Sequence, residues 1–271
     1  MIDIQELIDA LHYINKFRGQ TFVIKFGGEI LDDESVLETV SLDLVLLHDV
    51  GIHMVVMHGA GTLISSTMKR LGLEPRFIRG ERVTDEKTLE IVIKCLRQVN
   101  NRIIEIINRE KAIAKGSDDF FFRAKRKRKE LGYVGGITSV DSDKILKLIE
   151  SRYLPVIFPI GIGKDGHALN INADVAAGEL ARALDATKMI MLTNVDGVLD
   201  RNGRLIRQLS MEEAKKLIKE GIVTGGMIPK LESGIKALSV GVERVHIVRA
   251  GEHAILGELL TKEGTGTMLT M

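Results

Sequence analysis

Tryptophan is absent from this 271-residue chain, cysteine occurs once, tyrosine three times and proline four times. A lone cysteine, Cys95, excludes an intramolecular disulfide. It falls on a helical apolar stripe with Leu89, Val92, Ile93 and Leu96, which predicts a buried, inert thiol. With only 4% aromatics, the core must be built from Ile, Leu, Val, Met and Ala. Neither charge sign dominates: 38 Lys and Arg against 37 Asp and Glu leave a net charge of +1. No global field therefore argues for nucleic acid or a membrane surface. No apolar run is long enough to span a bilayer. The opening Met-Ile-Asp-Ile-Gln-Glu is acidic and lacks the apolar stretch of an export signal, so a reducing cytoplasm is the expected compartment. No Walker sequence, protein-kinase catalytic loop, Ser-His-Asp elbow or Cys/His metal cluster occurs, and no metal ligands are assigned.

What remains is a hydrophobic fraction of 45% and a charged fraction of 28%, the balance of a soluble globular chain forming one large domain or two coupled lobes. The stretch around which the chain is organised is 20–28, Gln-Thr-Phe-Val-Ile-Lys-Phe-Gly-Gly. Its β-branched and aromatic run predicts a buried strand over 21–26. Lys25 stands at the strand's carboxyl mouth, followed by Gly27 and Gly28. Glycines let backbone N–H groups approach a charged group closely, and the lysine adds a mobile point charge. A lysine merely reaching solvent is the alternative, and the nonapeptide alone leaves both open.

Apolar spacing over 3–17 predicts a helix capped by Asp3, either docked on its own subunit or making an oligomer contact. A helix over about 33–50, a strand over 53–57 ending at His58-Gly-Ala-Gly61, and a helix over 62–71 follow. Strand, glycine turn and helix, twice over, is the grammar of a parallel α/β sheet, and its glycine turns share the ligand-binding edge. Residues 77–85 form a polar connection before a long helix over 86–110. Arg82 in that connection either forks onto a carboxylate or is simply solvated. The basic run 125–129 beside Phe120-Phe121-Phe122 reads as a solvated strand or hairpin edge rather than a nucleic-acid site. Gly132–Ile137 is expected to re-enter the sheet, and 142–152 to be helical.

Gly161-Ile-Gly163-Lys-Asp-Gly166 matches a dinucleotide fingerprint in letters only. No helix opens at its glycines. Instead Lys164-Asp165-Gly166 predicts a hairpin returning as strand 168–171, with a helix from Asp174. The last third predicts a strand over 188–193, a loop over 198–209, helices over 211–220 and 230–240, a strand over 244–248, a helix near 253–260 and a final strand over 264–269.

Six motifs in order resemble the amino-acid kinase family over essentially the whole chain, closest to its arginine-sensitive, hexameric acetylglutamate-phosphorylating branch. They are Val-Ile-Lys25-Phe-Gly27-Gly28, His58-Gly-Ala-Gly61, Gly80-Glu-Arg82-Val-Thr-Asp85, Asn170-Ile-Asn172-Ala-Asp174, Leu-Thr-Asn-Val-Asp196-Gly197 and Gly225-Gly226-Met-Ile-Pro-Lys230. The resemblance implies a three-layer α/β sandwich with a central, mainly parallel sheet. It implies ATP-dependent phosphorylation of the γ-carboxylate of N-acetyl-L-glutamate, with Mg²⁺ carried mainly by the ATP phosphates. Lys25 and Lys230 would neutralise the transferring phosphoryl group, and Asp174 would hold both lysines. Gly59, Ala60, Gly61, Arg82, Asn170 and Asn172 would bind the acyl amino acid. Gly27, Gly28, Thr193, Asn194, Asp196, Gly226 and Met227 would serve the nucleotide. Residues 1–18 would form an oligomerisation helix, 19–178 the acyl amino acid lobe and 179–271 the nucleotide lobe. Tyr13, His253, Glu258 and Gly266 would form an arginine site in a homo-oligomer, a dimer or a hexamer, with no nucleic-acid or membrane partner.

The chain departs from the family at Ala60, where glycine is usual, at Asn194, where aspartate is usual, and at Gly116-Ser117-Asp118, where a lysine is missing. The stretch before the glycines also resembles the kinase-like domain of N-acetylglutamate synthase, but no acetyltransferase domain is expected to follow. A kinase of acetylaminoadipate, one methylene longer, and a non-catalytic arginine sensor are the competing readings.

Overall fold

The computed structural model describes residues 4–117, 119–261 and 264–271. Asp3, the expected cap of the first helix, and Asp118 lie outside them. The first half runs α1 (Ile4–Asn15), β1 (Thr21–Phe26), a 3₁₀ turn (Gly28–Asp32), α2 (Glu34–Asp49), β2 (His53–His58), α3 (Gly61–Arg70), β3 (Phe77–Ile78), β4 (Glu81–Arg82), α4 (Glu86–Glu110) and β5 (Ala114–Lys115). Then come β6 (Phe122–Arg126), β7 (Gly135–Val140), α5 (Ser142–Glu150), β8 (Leu154–Ile157), β9 (Ile160–Ile162), β10 (Ala168–Asn170) and α6 (Ala173–Ala183). The chain closes with β11 (Lys188–Thr193), β12 (Gln208–Ser210), α7 (Met211–Lys219), α8 (Met227–Ser239), β13 (Arg244–Arg249), α9 (Ala254–Leu260) and β14 (Thr267–Thr270).

The main sheet has the order β12-β14-β13-β11-β1-β2-β8-β5, and only the β13–β14 pair is antiparallel. Strand β1 is central, hydrogen-bonded to β11 on one side and β2 on the other. Side chains alternate across a strand, so β1 splits its residues between two layers. Phe22, Ile24 and Phe26 join the core formed with α2, α3, α4 and α9. Val23 joins the opposite core, formed with α5, α6, α7 and α8. The result is the expected three-layer sandwich, and the same alternation turns Lys25 toward α6. Cys95 is buried, as its stripe predicts.

Two expectations need correction. Residues 132–137 do not rejoin the main sheet. They lead into β7, the edge of a separate four-stranded sheet of order β10-β9-β6-β7. Strand β6 with its basic run is not an edge either, because it pairs with both β7 and β9. Phe122 and Ala124 face the core while Arg123 and Lys125 point to the opposite, solvated face, and Arg126 is exposed where the strand ends. The expected hairpin at 164–166 does form, joining β9 to β10. Helix α8 begins at Met227 instead of 230 because Pro229 sits in its first turn, where a missing N–H breaks no helical bond.

Helix ends are closed by side chains as the sequence suggests. Asp85 accepts from the Thr88 N–H at 2.8 Å to start α4, and Asn172 accepts from Asp174 and Val175 N–H at 2.9 and 3.1 Å to start α6. Gly266 is a different kind of constraint. A Cβ there would stand 2.1 Å from the Ile247 carbonyl oxygen, inside any contact a real side chain makes. Gly266→Ala should therefore destabilise the fold by more than about 2 kcal/mol, read as a lowered denaturant midpoint at unchanged slope; an unaltered midpoint would show that β14 can move aside freely.

Candidate active site

Lys25 reaches from the sheet centre to Asp174 in the first turn of α6, with Nζ 2.7 Å from Oδ1. Lys230, in the first turn of α8, places its Nζ 3.6 Å from Oδ2 of the same carboxylate. Lys25 and Asp174 are buried, and Lys230 is partly buried. Burial pushes the Asp174 carboxyl upward, but the charges of Lys25 and then Lys230, with their hydrogen bonds, outweigh it and hold the group below its ordinary value. One carboxylate thus holds two ammonium groups together at the carboxyl edge of the sheet, an arrangement that suits the approach of an anion.

Two cavities open near this triad, one lined by Ala173 beside Asp174 and the other by Lys230 itself. The first, of 160 Å³, is lined by Gly59, Ala60, Gly61, Arg82, Asn170 and Asn172, all six residues expected to hold the acyl amino acid, together with apolar Ile64, Phe77, Leu96 and Val134. Arg82 is 8% exposed. Its guanidinium donates to the Gly61 carbonyl at 3.1 Å and to Ser65 Oγ at 2.8 Å, and lies 4.7 Å from the Phe77 ring centroid. Burial pushes its ionisation below the ordinary value. Glu81 also lines the cavity but pairs with Lys127 at 2.6 Å; among the described residues no carboxylate forms an ion pair with Arg82, whose fork is suited to a carboxylate. Asn170 Nδ2 donates to Thr84 Oγ1 at 3.1 Å, which fixes the amide at the rim. Asn172 lines the cavity while its Oδ1 caps α6, so one residue serves both helix and wall.

The second cavity, of 550 Å³, is lined by Thr193, Asn194, Gly226, Met227 and Lys230 with apolar Val195, Leu199, Ile222 and Val223. Gly27 and Gly28 do not line it. Gly27 N–H continues the ladder by donating to the Leu192 carbonyl at 3.0 Å. A Cβ at Gly28 would meet Thr62 Oγ1 at 3.2 Å and the Gly61 nitrogen at 3.7 Å, so the two glycine turns lie against each other as their shared sheet edge requires. Asp196, expected on the nucleotide side, faces outward and pairs with Arg249 at 2.9 Å. Gly116 is also placed elsewhere. It follows β5, and a Cβ there would meet Asn100 Oδ1 at 2.8 Å, far along the sheet from β11 and the second cavity.

A third cavity, of 470 Å³, lies between α1, β13 and α9 and contains Tyr13, Lys188, His246 and Glu258. Gly266 does not line it but donates its N–H to Glu258 Oε2 at 2.8 Å. Lys188 is pushed down to about 8, first by burial and then by Arg244. His253 does not join this group. Its Nδ1 lies 2.7 Å from Asp43 Oδ1 of α2, and the same carboxylate accepts from the Ile255 and Leu256 N–H groups that begin α9. A left-handed backbone at φ 49° turns the His253 side chain to that contact.

Sequence reasoning quoted His58 only as part of a motif and missed its partner. The His58 ring is buried, with Nδ1 3.1 Å from the Gly59 carbonyl and Nε2 3.0 Å from Asn100 Nδ2. Burial pushes it down to about 4, against the smaller pull of the Gly59 carbonyl. An unfolded histidine takes up a proton near 6.5, so between pH 6.5 and 4 the unfolded state binds more protons and stability falls as pH falls. This group alone should remove about 3 kcal/mol across that window. Urea unfolding of His58→Asn against the parent at several pH values isolates it; parallel slopes in the two proteins would contradict the assignment.

Three comparisons bear on this geometry. The chain matches the model of the Amino acid kinase family over residues 20–249. The acetylglutamate kinase of Kosmotoga olearia is 48% identical over 273 residues, covering 98% of this chain and 96% of that protein. That of Aquifex aeolicus is 42% identical, again covering 98% and 96%. Among solved structures, N-acetylglutamate synthase from Neisseria gonorrhoeae, complexed with coenzyme A and N-acetyl-glutamate, superposes with a TM-score of 0.92 at 27% identity. All of this chain is covered, but it spans only 64% of the synthase chain. Carbamate kinase from Giardia lamblia shares the fold at a TM-score of 0.69 and 16% identity, covering 93% of this chain and 98% of that one.

Proposed function

The chain belongs to the amino acid kinase family, and we propose that it uses ATP to phosphorylate the γ-carboxylate of N-acetyl-L-glutamate, yielding an acyl phosphate for arginine biosynthesis. The observation that carries this reading is the Lys25–Asp174–Lys230 triad, with Ala173 beside Asp174 lining the first cavity and Lys230 lining the second. Relatives named acetylglutamate kinase, 39–48% identical across nearly the whole chain, support the choice of acceptor.

A carboxylate is ionised at neutral pH, so the acceptor needs no general base. One of its oxygens attacks the γ-phosphorus, the bond to the β-phosphate oxygen breaks, and ADP leaves with that electron pair. What limits the reaction is bringing one anion to another and stabilising the oxygens of the group in flight. Lys25 and Lys230 supply charge for that, and Asp174 keeps them from moving apart. In this reading Arg82 grips the α-carboxylate of the acyl amino acid in the first cavity, and Asn170 orients it. The second cavity takes the nucleotide. Mg²⁺ enters with the ATP phosphates; among the described residues no group of three or more His, Cys, Asp or Glu side chains is arranged to hold a metal ion. The acyl amino acid lobe would comprise 19–178 and the nucleotide lobe 179–271. No helix among the described residues is long and apolar enough to cross a membrane, and the reaction belongs to the cytoplasm in this account.

Feedback by arginine is part of the proposal. The third cavity offers the Glu258 carboxylate, held by His246 and the amides of Thr265 and Gly266, and the buried cation Lys188 beside Tyr13. An amino acid with a cationic side chain presents both complementary charges. Helix α1 buries Ile14 but leaves Ile4, Ile8 and Leu11 exposed at 71%, 41% and 44%, a stripe suited to joining copies of the chain.

Coupled measurement of ADP release tests the catalytic roles. Lys25→Ala and Lys230→Ala should each lower kcat by roughly a hundredfold or more, and Arg82→Ala should act chiefly on the acetylglutamate KM. Parental turnover in either lysine variant would sink the assignment, and faster turnover of acetylaminoadipate would move the substrate one methylene along. Sedimentation with and without residues 1–18 should give a dimer only after truncation, with arginine inhibition weakened; an arginine-insensitive native dimer would refute the regulatory part.

A further inference from the structure

Helix α4 buries an apolar face, and in the middle of it lies a polar residue, Asn100, at 4% exposure. A polar group that deep must be hydrogen-bonded, and here the partners fix its orientation. Asn100 Nδ2 lies 2.9 Å from the Val156 carbonyl oxygen of β8, which can only accept, so this atom is the amide's donor end. The same NH₂ group lies 3.0 Å from His58 Nε2. That ring nitrogen must therefore accept, which leaves the ring proton on Nδ1. Nδ1 in turn lies 3.1 Å from the Gly59 carbonyl oxygen and donates to it.

The consequence passes to the substrate cavity through one peptide plane. In a trans peptide the C=O and the following N–H point in opposite directions. Drawing the Gly59 carbonyl back onto His58 turns the Ala60 N–H the other way, and Gly59, Ala60 and Gly61 line the 160 Å³ cavity. Among the described residues no backbone carbonyl accepts from the Ala60 N–H. We propose that Asn100 is a positioning residue: by holding His58 as its Nδ1–H tautomer it keeps the Gly59–Ala60 peptide oriented with its N–H available to the reacting oxygens. An imidazolium or an Nε2–H ring would set two donors against each other at Asn100, and burial of the ring opposes the charged form as well. The proposal rests on the phosphoryl-transfer reading for its effect on rate, but the tautomer itself does not.

Two substitutions separate this role from simple packing. The amide nitrogen of asparagine can stand where Nδ1 stands, and that of glutamine where Nε2 stands. His58→Asn should rescue the donor to Gly59 and retain kcat to within about tenfold, whereas His58→Gln should lose roughly a hundredfold in kcat, the scale of removing one oriented donor. A role in packing or in contact with Asn100 alone predicts the reverse order, and Gln outperforming Asn would overturn the proposal. Nitrogen-15 NMR of the histidine-labelled protein gives a readout independent of activity. The His58 ring should show the Nδ1–H signature in the parent and the Nε2–H signature in Asn100→Asp, where a carboxylate must accept. An Nε2–H ring in the parent would overturn the proposal even if the enzyme phosphorylates another acceptor.

Discussion

A single buried carboxylate facing two ammonium groups is the constraint on which the molecule turns. Removing charges from water is expensive, and Asp174 repays Lys25 and Lys230 only while all three keep their places. The fold supplies those places with rigid parts. Strand β1 holds Lys25 between two hydrogen-bonded neighbours at the sheet centre. Helix α6 delivers Asp174 through a first turn capped by Asn172. Helix α8 delivers Lys230 and is tied to α6 where Ser233 donates to the Asp174 carbonyl at 2.5 Å. Gly178 makes that approach possible, since a Cβ there would come within 3.3 Å of Ser233 Oγ. One residue thus joins the helix on which the carboxylate rides to the helix on which the second lysine rides.

The triad gives meaning to the cavities around it. Each is lined by a cation: Arg82 in the first, and Lys230, tied to Lys25 through Asp174, in the second. Two anions, a carboxylate and a polyphosphate, are what such a site would bring together. The glycine turns let this happen at close range. Gly28 abuts Gly61, and Gly59 abuts Ala173 at the start of α6, where a Cβ would lie 3.5 Å away. The glycine turns after β1 and β2 and the start of α6 therefore lie against one another, with no side chain at the glycines to hold them apart.

Much of this was legible from the order of residues. Strand, glycine turn and helix repeated at 21–61 announced a parallel sheet and its binding edge, and helix α4 runs over the span its apolar period predicts. The six residues expected to bind the acyl amino acid, scattered from 59 to 172, meet around one cavity. What escaped was long-range pairing of polar groups. Asn100 reads as one more polar letter in an amphipathic helix, and nothing nearby in sequence reveals that His58 lies against it. His253 and Asp196 carry motif letters, yet Asp43 and Arg249, distant in sequence, draw them elsewhere. The four-stranded sheet escaped because its strands are three to six residues long and its period of two resembles any half-buried strand.

The central claim is that this site moves a phosphoryl group onto a carboxylate held beside Lys25, Asp174 and Lys230. Hydroxylamine converts an acyl phosphate to a stable hydroxamate with release of phosphate, so trapping reports the product itself. With purified protein, ATP, Mg²⁺ and N-acetyl-L-glutamate, hydroxamate should accumulate mole for mole with ADP and disappear when the acyl amino acid is left out. ADP release without hydroxamate, or at the same rate without acceptor, would contradict the account.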